Sequence, residues 1–256
     1  MTMKSTHVEG LLVSEASYGE GDPKHREDSP AEVKYRRDGS VWYETYYQNG
    51  LKHRASDPAY IEYLPDGNVS SEYYYLNDVL HRKEGPAVIE RHDGKVWLEK
   101  YYHNGFRYRK GGPALIYYHP DGSVKSEEYY SVGGRGRVEG PARVVYREDG
   151  SVWHESYYRC GYLHREGGPA FTIYYPDGTV WAEEYYHNGN CHRAEGPAVI
   201  EYWPDGSVYR TIYFQKDIRQ LELGRFWHGL CRLLQGRLSR NAMRPYISHQ
   251  IHANYR

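Results

Sequence analysis

The sequence predicts an all-β protein, a single-layer antiparallel meander of seven 28-residue β-hairpin repeats followed by a C-terminal amphipathic helix. Three observations predict this fold. An arginine recurs seven times at steps of 28, 28, 27, 28, 28 and 28 residues, a Pro-Ala pair follows each arginine, and an Asp-Gly pair follows each Pro-Ala. Recurrence at a fixed period is typical of repeat architectures, and Asp-Gly between strand-like runs indicates a hairpin turn.

Residues 1–24 are predicted to form an N-terminal cap strand. The segment SEASY at residues 14–18 resembles the segment YETYY at residues 43–47, which lies in the second strand of the first repeat. A lone second strand at this place would cover the first edge of the array, and exposed edges of repeat arrays need such a cap.

Residues 25–216 are predicted to hold the seven repeats, with two strands in each. The first strand follows Pro-Ala and carries a β-branched residue. The second strand runs from an unvarying valine to a Tyr-Tyr pair, as at residues 41–47, and Asn-Gly after Tyr-Tyr predicts a second turn.

Strict alternation along the second strand predicts two different faces. One face carries Trp, Glu and the first Tyr, and we expect it to be packed. The opposite face carries a middle position whose residue type drifts along the array, and we expect this position to face solvent. Its members are Tyr43, Ser71, Leu98, Ser126, His154, Ala182 and Arg210.

Residues 217–256 break the pattern and are predicted to form a basic helical cap. Leu223, Phe226, Trp227, Leu230 and Leu234 follow a helical spacing. The segment holds 7 Arg and 2 acidic residues, a net charge of +5. The helix is expected to cover the last edge strand, with binding to an anionic membrane surface or docking to a partner as alternatives.

The composition excludes several classes of protein. The 256 residues include 30 Tyr and only 4 Phe, and an aromatic content of 16% argues against disorder. A net charge of −1 offers no argument for nucleic acid, which we do not expect as a partner. No apolar stretch has the length of a membrane span or a signal peptide, and Cys160, Cys191 and Cys231 form no CxxC motif. Such cysteines favour a reducing compartment, so a cytoplasmic location is expected.

The recurring arginine has two interpretations. A column of His-Arg pairs could bind phosphate groups or an acidic partner, because guanidinium groups suit planar anions. The favoured interpretation is structural, a ladder in which each arginine forms an ion pair with the recurring glutamate. The ladder would consist of Arg26, Arg54, Arg82, Arg109, Arg137, Arg165 and Arg193 with Glu44, Glu72, Glu99, Glu127, Glu155 and Glu183.

Two further columns are candidate binding residues. The second tyrosine of each Tyr-Tyr pair is expected on the face opposite the first, where it could contact a partner, and the histidines before the arginines could contribute. These residues are Tyr47, Tyr75, Tyr102, Tyr130, Tyr158 and Tyr186, with His53, His81, His164 and His192. Equivalent histidines would lie about 9.6 Å apart, two strands at about 4.8 Å each, too far to share a zinc ion. We expect no metal and no cofactor.

The alternation of a Tyr-Tyr-x-Asn-Gly turn, as at residues 185–189, with a Pro-Asp-Gly turn, as at residues 204–206, resembles the MORN repeat. It is closer to the MORN-variant repeats of bacterial proteins, some of which are assigned as antitoxins. The resemblance covers residues 26–217, although the repeats here are longer, with the extra residues in the H-R-x-x-G-P-A segment. It implies a β-hairpin array and a generic scaffold.

Catalysis has no support, because an active site needs unlike groups converging at one place and these residues recur in columns. The glycine-rich run at residues 133–136 stands where other repeats have a turn, and no helix follows it. The predicted function is a non-enzymatic scaffold that binds a protein through an extended β-sheet face. The alternatives are binding of a phosphate-containing small molecule or anionic lipid headgroup through the Arg and Tyr columns, and an enzyme site near Trp227 and His228.

Overall fold

The computed structural model describes residues 2–8, 11–18, 24, 29–131, 134–215 and 218–220. These residues form an all-β meander of hairpins, as predicted, with no helix among them. The repeats are numbered as units 1 to 7, which begin at residues 25, 53, 81, 108, 136, 164 and 192.

Within the described residues, seventeen strands make one antiparallel sheet, and each strand pairs with the next main-sheet strand along the chain. Two strands precede the units, each unit adds two, and Ile218–Gln220 follows the last unit. They are Thr2–Val8, Leu11–Tyr18, Glu32–Tyr35, Val41–Thr45, Tyr60–Tyr63, Val69–Tyr73, Val88–His92, Lys95–Lys100, Leu115–Tyr118, Val124–Glu128, Arg143–Tyr146, Val152–Ser156, Phe171–Tyr174, Val180–Glu184, Val199–Tyr202, Val208–Gln215 and Ile218–Gln220.

A short hairpin follows the second strand of each of units 1 to 6. The six pairs are Tyr47–Gln48 with Leu51–Lys52, Tyr75–Leu76 with Val79–Leu80, Tyr102–His103 with Phe106–Arg107, Tyr130–Ser131 with Gly134–Arg135, Tyr158–Arg159 with Tyr162–Leu163, and Tyr186–His187 with Asn190–Cys191. In unit 1 the turn residues Asn49 and Gly50 have φ of 51° and 80°, the positive values that the predicted Asn-Gly turn requires. Ile218–Gln220 pairs in the same way with the end of the last long strand.

The short hairpins stack on one another along one side of the sheet. The Asp78 N–H donates to the Lys52 carbonyl at 2.9 Å, and the Gly105 N–H donates to the Leu80 carbonyl at 2.9 Å. Each unit therefore contacts the unit before it twice, through the main sheet and through the row of short hairpins.

An alanine column forms the most buried part of the array. The alanine of each Pro-Ala pair is 0–1% exposed in all seven units. In unit 2, the Ala59 N–H donates to the Tyr73 carbonyl at 2.9 Å, and the Ala59 carbonyl accepts from the Tyr46 N–H at 2.7 Å. The residue joins two units by its backbone at a place that leaves room for a methyl group only.

A β-bulge in every unit changes which way the tryptophan points. In unit 1, Lys34 faces Tyr43 but Tyr35 faces Val41, so Trp42 is the extra residue of the bulge. Its indole N–H donates to Glu62 on the neighbouring strand at 3.0 Å, and its side chain is 44% exposed. The expectation of a packed face shared by Trp, Glu and Tyr is therefore wrong for the tryptophan, because strict alternation does not hold across a bulge.

The two ends of the chain differ from the prediction in detail. Residues 1–24 contain two strands, Thr2–Val8 and Leu11–Tyr18, rather than one. The predicted C-terminal helix lies outside the described residues, except that Ile218–Gln220, at its predicted start, forms a strand. In the described part of the chain, no helix has the length and apolarity needed to cross a bilayer.

Candidate binding surface

One face of the sheet repeats almost unchanged and is called the constant face. Its central row alternates glutamates with β-branched residues across the strands and runs through Glu15, Val33, Glu44, Ile61, Glu72, Ile89, Glu99, Ile116, Glu127, Val144, Glu155, Thr172, Glu183, Ile200 and Thr211. Because the same residue types recur at the same places, this face is a frame common to all units.

These glutamates accept hydrogen bonds from tyrosine hydroxyls of the next unit. The Tyr146 hydroxyl donates to Glu127 at 3.1 Å, and the equivalent bonds are Tyr35 to Glu15, Tyr63 to Glu44, Tyr118 to Glu99, Tyr174 to Glu155 and Tyr202 to Glu183, at 3.0–3.1 Å. In unit 3 a residue is deleted and Arg91 takes the place of the tyrosine, 2.6 Å from Glu72. Burial, together with the neighbouring glutamate, raises the pKa of Tyr146 to about 12.

The recurring arginine lies flat on a tyrosine ring instead of pairing with glutamate. In unit 3 the guanidinium carbon of Arg82 is 3.8 Å from the ring centre of Tyr74, and Arg82 donates to the Pro86 carbonyl at 3.1 Å. The other pairs, at 3.8–4.1 Å, are Arg54 on Tyr46, Arg109 on Tyr101, Arg137 on Tyr129, Arg165 on Tyr157 and Arg193 on Tyr185.

This arrangement corrects the predicted ladder. Among the described residues, none of the six arginines forms an ion pair with a glutamate of the constant row, and Arg26 lies outside those residues. The tyrosine stands between the two charges. Tyr101 receives Arg109 on its ring and donates its hydroxyl to Glu99 at 3.1 Å, so a cation–π contact and a hydrogen bond replace the ion pair.

The opposite face changes from unit to unit and is called the variable face. Its middle row runs across the strands through Lys34, Tyr43, Glu62, Ser71, Glu90, Leu98, Tyr117, Ser126, Val145, His154, Ile173, Ala182, Glu201 and Arg210. Its end row, next to the short hairpins, runs through Glu32, Thr45, Tyr60, Tyr73, Val88, Lys100, Leu115, Glu128, Arg143, Ser156, Phe171, Glu184, Val199 and Ile212.

The variable face is less exposed than predicted. Leu98, Ser126 and Ala182 are only 2%, 4% and 5% exposed, although strict alternation predicted that they face solvent. Tyr117 pairs across the strands with both Leu98 and Ser126, and its long side chain covers such shorter neighbours. The short residues form the floor of this face, and the long residues present its accessible groups.

Units 1 and 2 present tyrosines and lysines on this face. The ring centres of Tyr43 and Tyr60 are 5.3 Å apart, those of Tyr60 and Tyr73 are 5.4 Å apart, and Tyr75 stacks on Tyr73 at 6.4 Å. Lys52 Nζ lies between two of these tyrosines, 5.6 Å from the Tyr60 ring centre and 5.2 Å from that of Tyr75. The result is an aromatic surface with a lysine ammonium group held against its rings.

Unit 4 and its neighbour present a charged cluster around a buried carboxylate. Glu128 is 4% exposed, accepts from Arg135 Nε at 3.0 Å and from the Tyr130 hydroxyl at 2.9 Å, and lies 3.3 Å from Arg143 Nε. Arg107 donates to the Tyr130 hydroxyl at 2.8 Å. Three arginines thus surround one carboxylate, which leaves an excess of positive charge in the middle of the face.

On the variable face, unit 5 and the units after it present His154 and Glu184, whose pKa values are shifted by burial. Burial, with the charges of Arg143 and Arg147, lowers the pKa of His154 to about 3. Burial also raises the pKa of Glu184, with Glu201 adding to the effect, although a hydrogen bond from Tyr186 opposes it. These two buried groups distinguish this end of the face from the aromatic surface of units 1 and 2.

The six predicted binding tyrosines all lie half-buried, in contact with charged groups of the end row or of the short hairpins. Tyr130 and Tyr186 donate to Glu128 and Glu184 at 2.9 and 2.8 Å. The remaining contacts join Tyr47 to Glu32 at 3.5 Å, Tyr75 to Lys52, Tyr102 to Arg107 at 3.1 Å and Tyr158 to Arg135. These six tyrosines therefore lie at the side of the variable face that is next to the short hairpins.

Three of the four predicted histidines hold the turns of the short hairpins. His53 Nδ1 is 2.8 Å from the Asn77 side chain, His81 accepts from the Asn104 N–H at 3.1 Å, and His164 accepts from the Asn188 N–H at 3.1 Å. His192 is half-buried, and its Nδ1 has no hydrogen-bond partner. No group of three or more metal-binding side chains occurs within the described residues.

Several residues of the variable face were missed by sequence reasoning. They are Arg107, Arg135, Arg143 and Glu128. The residue type at each of these positions varies from unit to unit, so no repeated column marks them. The signal that could have found them is the variation itself, which falls at every second position of both strands, in the end row as well as in the middle row.

The chain matches the model of the MORN repeat variant at two places, residues 115–131 and 170–188. Both segments cover the main hairpin and the start of the short hairpin, in units 4 and 6. These matches, in two of the seven units, support a MORN-like repeat.

No match to a curated protein was found for this MORN-like chain. Among solved structures, a chain in the crystal structure of TcdB2-TccC3 matches 80% of the present chain at 10% sequence identity, with a TM-score of 0.12. This chain spans 15% of the length of that chain. No fold or function is inferred from so low a TM-score.

Proposed function

We propose that the protein is a non-enzymatic repeat scaffold that binds a protein partner along the variable face. The observation that carries the proposal is the contrast between the two faces of one sheet. The constant face forms a frame that holds two rows of side chains, and these rows differ in every unit. The rows cross fourteen strands at about 4.8 Å each, so their length is roughly 60 Å. A long surface with non-repeating chemistry suits a partner whose own chemistry does not repeat.

The charges of the two rows support a protein partner over a polyanion. The rows contain four cationic residues, Lys34, Lys100, Arg143 and Arg210, against six glutamates. Nucleic acid and anionic lipid surfaces present uniform negative charge and favour a continuous basic track. Alternating signs, with apolar and aromatic residues between them, are what protein interfaces present.

The exposed aromatic rim adds a second reason. Trp42 and Trp97 are 44% and 38% exposed, and the Trp97 ring lies 5.9 Å from that of Tyr117. Exposed Trp and Tyr side chains are the residues that most often dominate binding energy at interfaces. Cys160 is an exposed free thiol, which fits the reducing cytoplasm as the place of action.

The test combines capture and quantitative binding. A partner captured from the native cell by the full chain is purified, and its affinity is measured for the variants Trp97→Ala and Tyr117→Ala. Each variant is expected to weaken binding by about 1–2 kcal/mol, roughly 5- to 30-fold, and the double variant to weaken it further.

Phe106→Ala is the matched control, because Phe106 is 77% exposed on a short hairpin and lies outside both rows. It is expected to leave the affinity unchanged. The proposal fails if both variable-face variants bind like the wild type, or if one of them alone abolishes all binding, since a surface of many summed contacts loses affinity by degrees.

A further inference from the structure

An open cavity lies where unit 5 meets unit 6, away from the rows of the variable face. Its volume is about 380 Å³, and Arg137, Arg159, Arg165, His164, Glu166 and Tyr157 are among its lining residues. Three guanidinium groups and one carboxylate give it a net charge of +2. Arg137 and Arg165 are held by their tyrosine rings at 4.0 and 3.8 Å, which fixes two of the cations in place.

His164 supplies a donor to this cavity that no group in the described part of the chain accepts. The imidazole is 6% exposed, and its Nδ1 accepts from the Asn188 N–H at 3.1 Å. In the neutral ring the proton must therefore be on Nε2. Nε2 is buried without a hydrogen-bond partner, and the nearest carboxylate oxygen, Glu166 Oε1, is 3.6 Å away, too long for a hydrogen bond.

The third arginine makes this junction different from the others. Arg159 occupies a position where units 1, 2, 3, 4 and 6 have Gln48, Leu76, His103, Ser131 and His187. Its side chain is 64% exposed, and it contacts Glu166 at 3.3 Å. Glu166 is itself 79% exposed, so it is a weak occupant that an incoming anion can displace.

We propose that this cavity is a binding site for a phosphomonoester group. A dianion with several acceptor oxygens matches the net charge of the lining residues and can take hydrogen bonds from the Arg159 guanidinium and from His164 Nε2. The site lies outside the two rows of the variable face and does not depend on the partner that these rows bind. The group comes either from a free small molecule or from a phosphorylated side chain.

The experiment titrates the purified full chain with inorganic phosphate, phosphoserine and acetate, at constant ionic strength. Backbone amide chemical shifts of residues 136–140 and 159–167 are recorded by NMR. Saturable shifts with inorganic phosphate or phosphoserine, much weaker with acetate, are expected. Tighter binding of phosphoserine would assign the site to a phosphorylated side chain, and tighter binding of inorganic phosphate would assign it to a free small molecule.

Two variants of opposite sign sharpen the test. Arg159→Gln removes one charge-assisted donor and is expected to weaken binding about tenfold or more. Glu166→Gln removes the competing carboxylate and is expected to tighten binding. Both side chains are well exposed, so neither change threatens the fold. Arg37→Gln, at an exposed arginine in a turn of unit 1, is the charge-matched control and should bind as the wild type does.

The proposal is overturned if the shifts do not saturate, if acetate produces them equally, or if Arg37→Gln weakens binding as much as Arg159→Gln does. Any of these results would mean that the anion acts only by screening charge. Because the titration needs no protein partner, its failure is independent of any failure of the proposed protein-binding function.

Discussion

At the scale of single residues, one tyrosine side chain can serve two charged groups. Its ring carries an arginine and its hydroxyl serves a glutamate, as Tyr101 does between Arg109 and Glu99. A phenylalanine could supply the ring but would leave the glutamate without its donor. Rings that carry arginines and hydroxyls that donate to glutamates both recur along the array, which fits the contrast of 30 Tyr with 4 Phe.

His154 makes the stability of the array depend on pH. The native state keeps the imidazole neutral down to a pKa of about 3, while the unfolded chain protonates it near 6.5. Below pH 6.5 the unfolded state therefore binds more protons, and the free energy of unfolding falls as the pH falls, by up to about 1.4 kcal/mol per pH unit. This part of the stability is present above pH 6.5 and is lost progressively toward pH 3.

We predict that His154→Leu removes this dependence, since unit 3 already has Leu98 at the equivalent position. In urea denaturation, the variant should gain on the wild type by up to about 2 kcal/mol between pH 7 and pH 5. His92→Gln, at a side chain that is 84% exposed, is the control and should leave the pH dependence as it is. A wild type and a His154→Leu variant with parallel pH profiles would contradict the prediction.

At the scale of the elements, the turns and strands could be predicted from the sequence because their signals are local. Asp-Gly and Asn-Gly mark the positions that need positive φ, and seven repetitions remove the ambiguity of any single match. The faces could not be predicted from alternation, because the bulge at Trp42 and its equivalents shifts one residue in every second strand. Nothing in the local sequence distinguishes a regular strand from a bulged one.

The predicted ion pairs between the arginines and the glutamates were wrong for a related reason. Seven arginines and six glutamates at a fixed spacing predict an ion pair if charge alone decides. The structure places a tyrosine ring against the recurring arginine of each of units 2 to 7, while the glutamates stay in the central row of the constant face. Sequence spacing gives the order of residues along the strand, but not which of two neighbours lies nearer.

The short hairpin of unit 5 has an unfavourable turn residue. Cys160 has a φ of 51°, at the place where units 1, 3 and 6 have Asn49, Asn104 and Asn188 with φ of 49–51°. Asparagine tolerates this left-handed conformation several-fold better than most residues with a side chain. The turn therefore carries a backbone cost that its counterparts avoid.

We predict that Cys160→Asn raises the free energy of unfolding by about 0.5–1 kcal/mol. Denaturation in urea measures the gain. Cys160→Ser is the matched control, because it also removes the thiol without favouring positive φ, and it should give no such gain. Equal stability of the two variants would show that the turn conformation costs nothing.

At the scale of the whole molecule, the array is a one-dimensional assembly. Every main-sheet strand pairs only with its immediate neighbours in the described chain, and each alanine joins adjacent units. Stability in such arrays is close to a sum over units and the interfaces between them. The same arrangement lets the variable face differ in every unit without a cost to the frame, which is how one scaffold can present chemistry specific to one partner.

This architecture predicts that a complete unit can be removed. Deletion of residues 136–163 joins Arg135 to His164 and leaves the columns of arginine, alanine and glutamate in register. We expect a folded β-protein by circular dichroism, with a smaller urea m-value, because less surface is exposed on unfolding. The matched control deletes residues 141–150, which removes one strand and its turn. Removal of a single strand would reverse the direction of every later strand in the antiparallel sheet, so this control is expected not to fold. If both deletions fold equally well, or neither folds, the units are not independent in the way that the pairing of the strands implies.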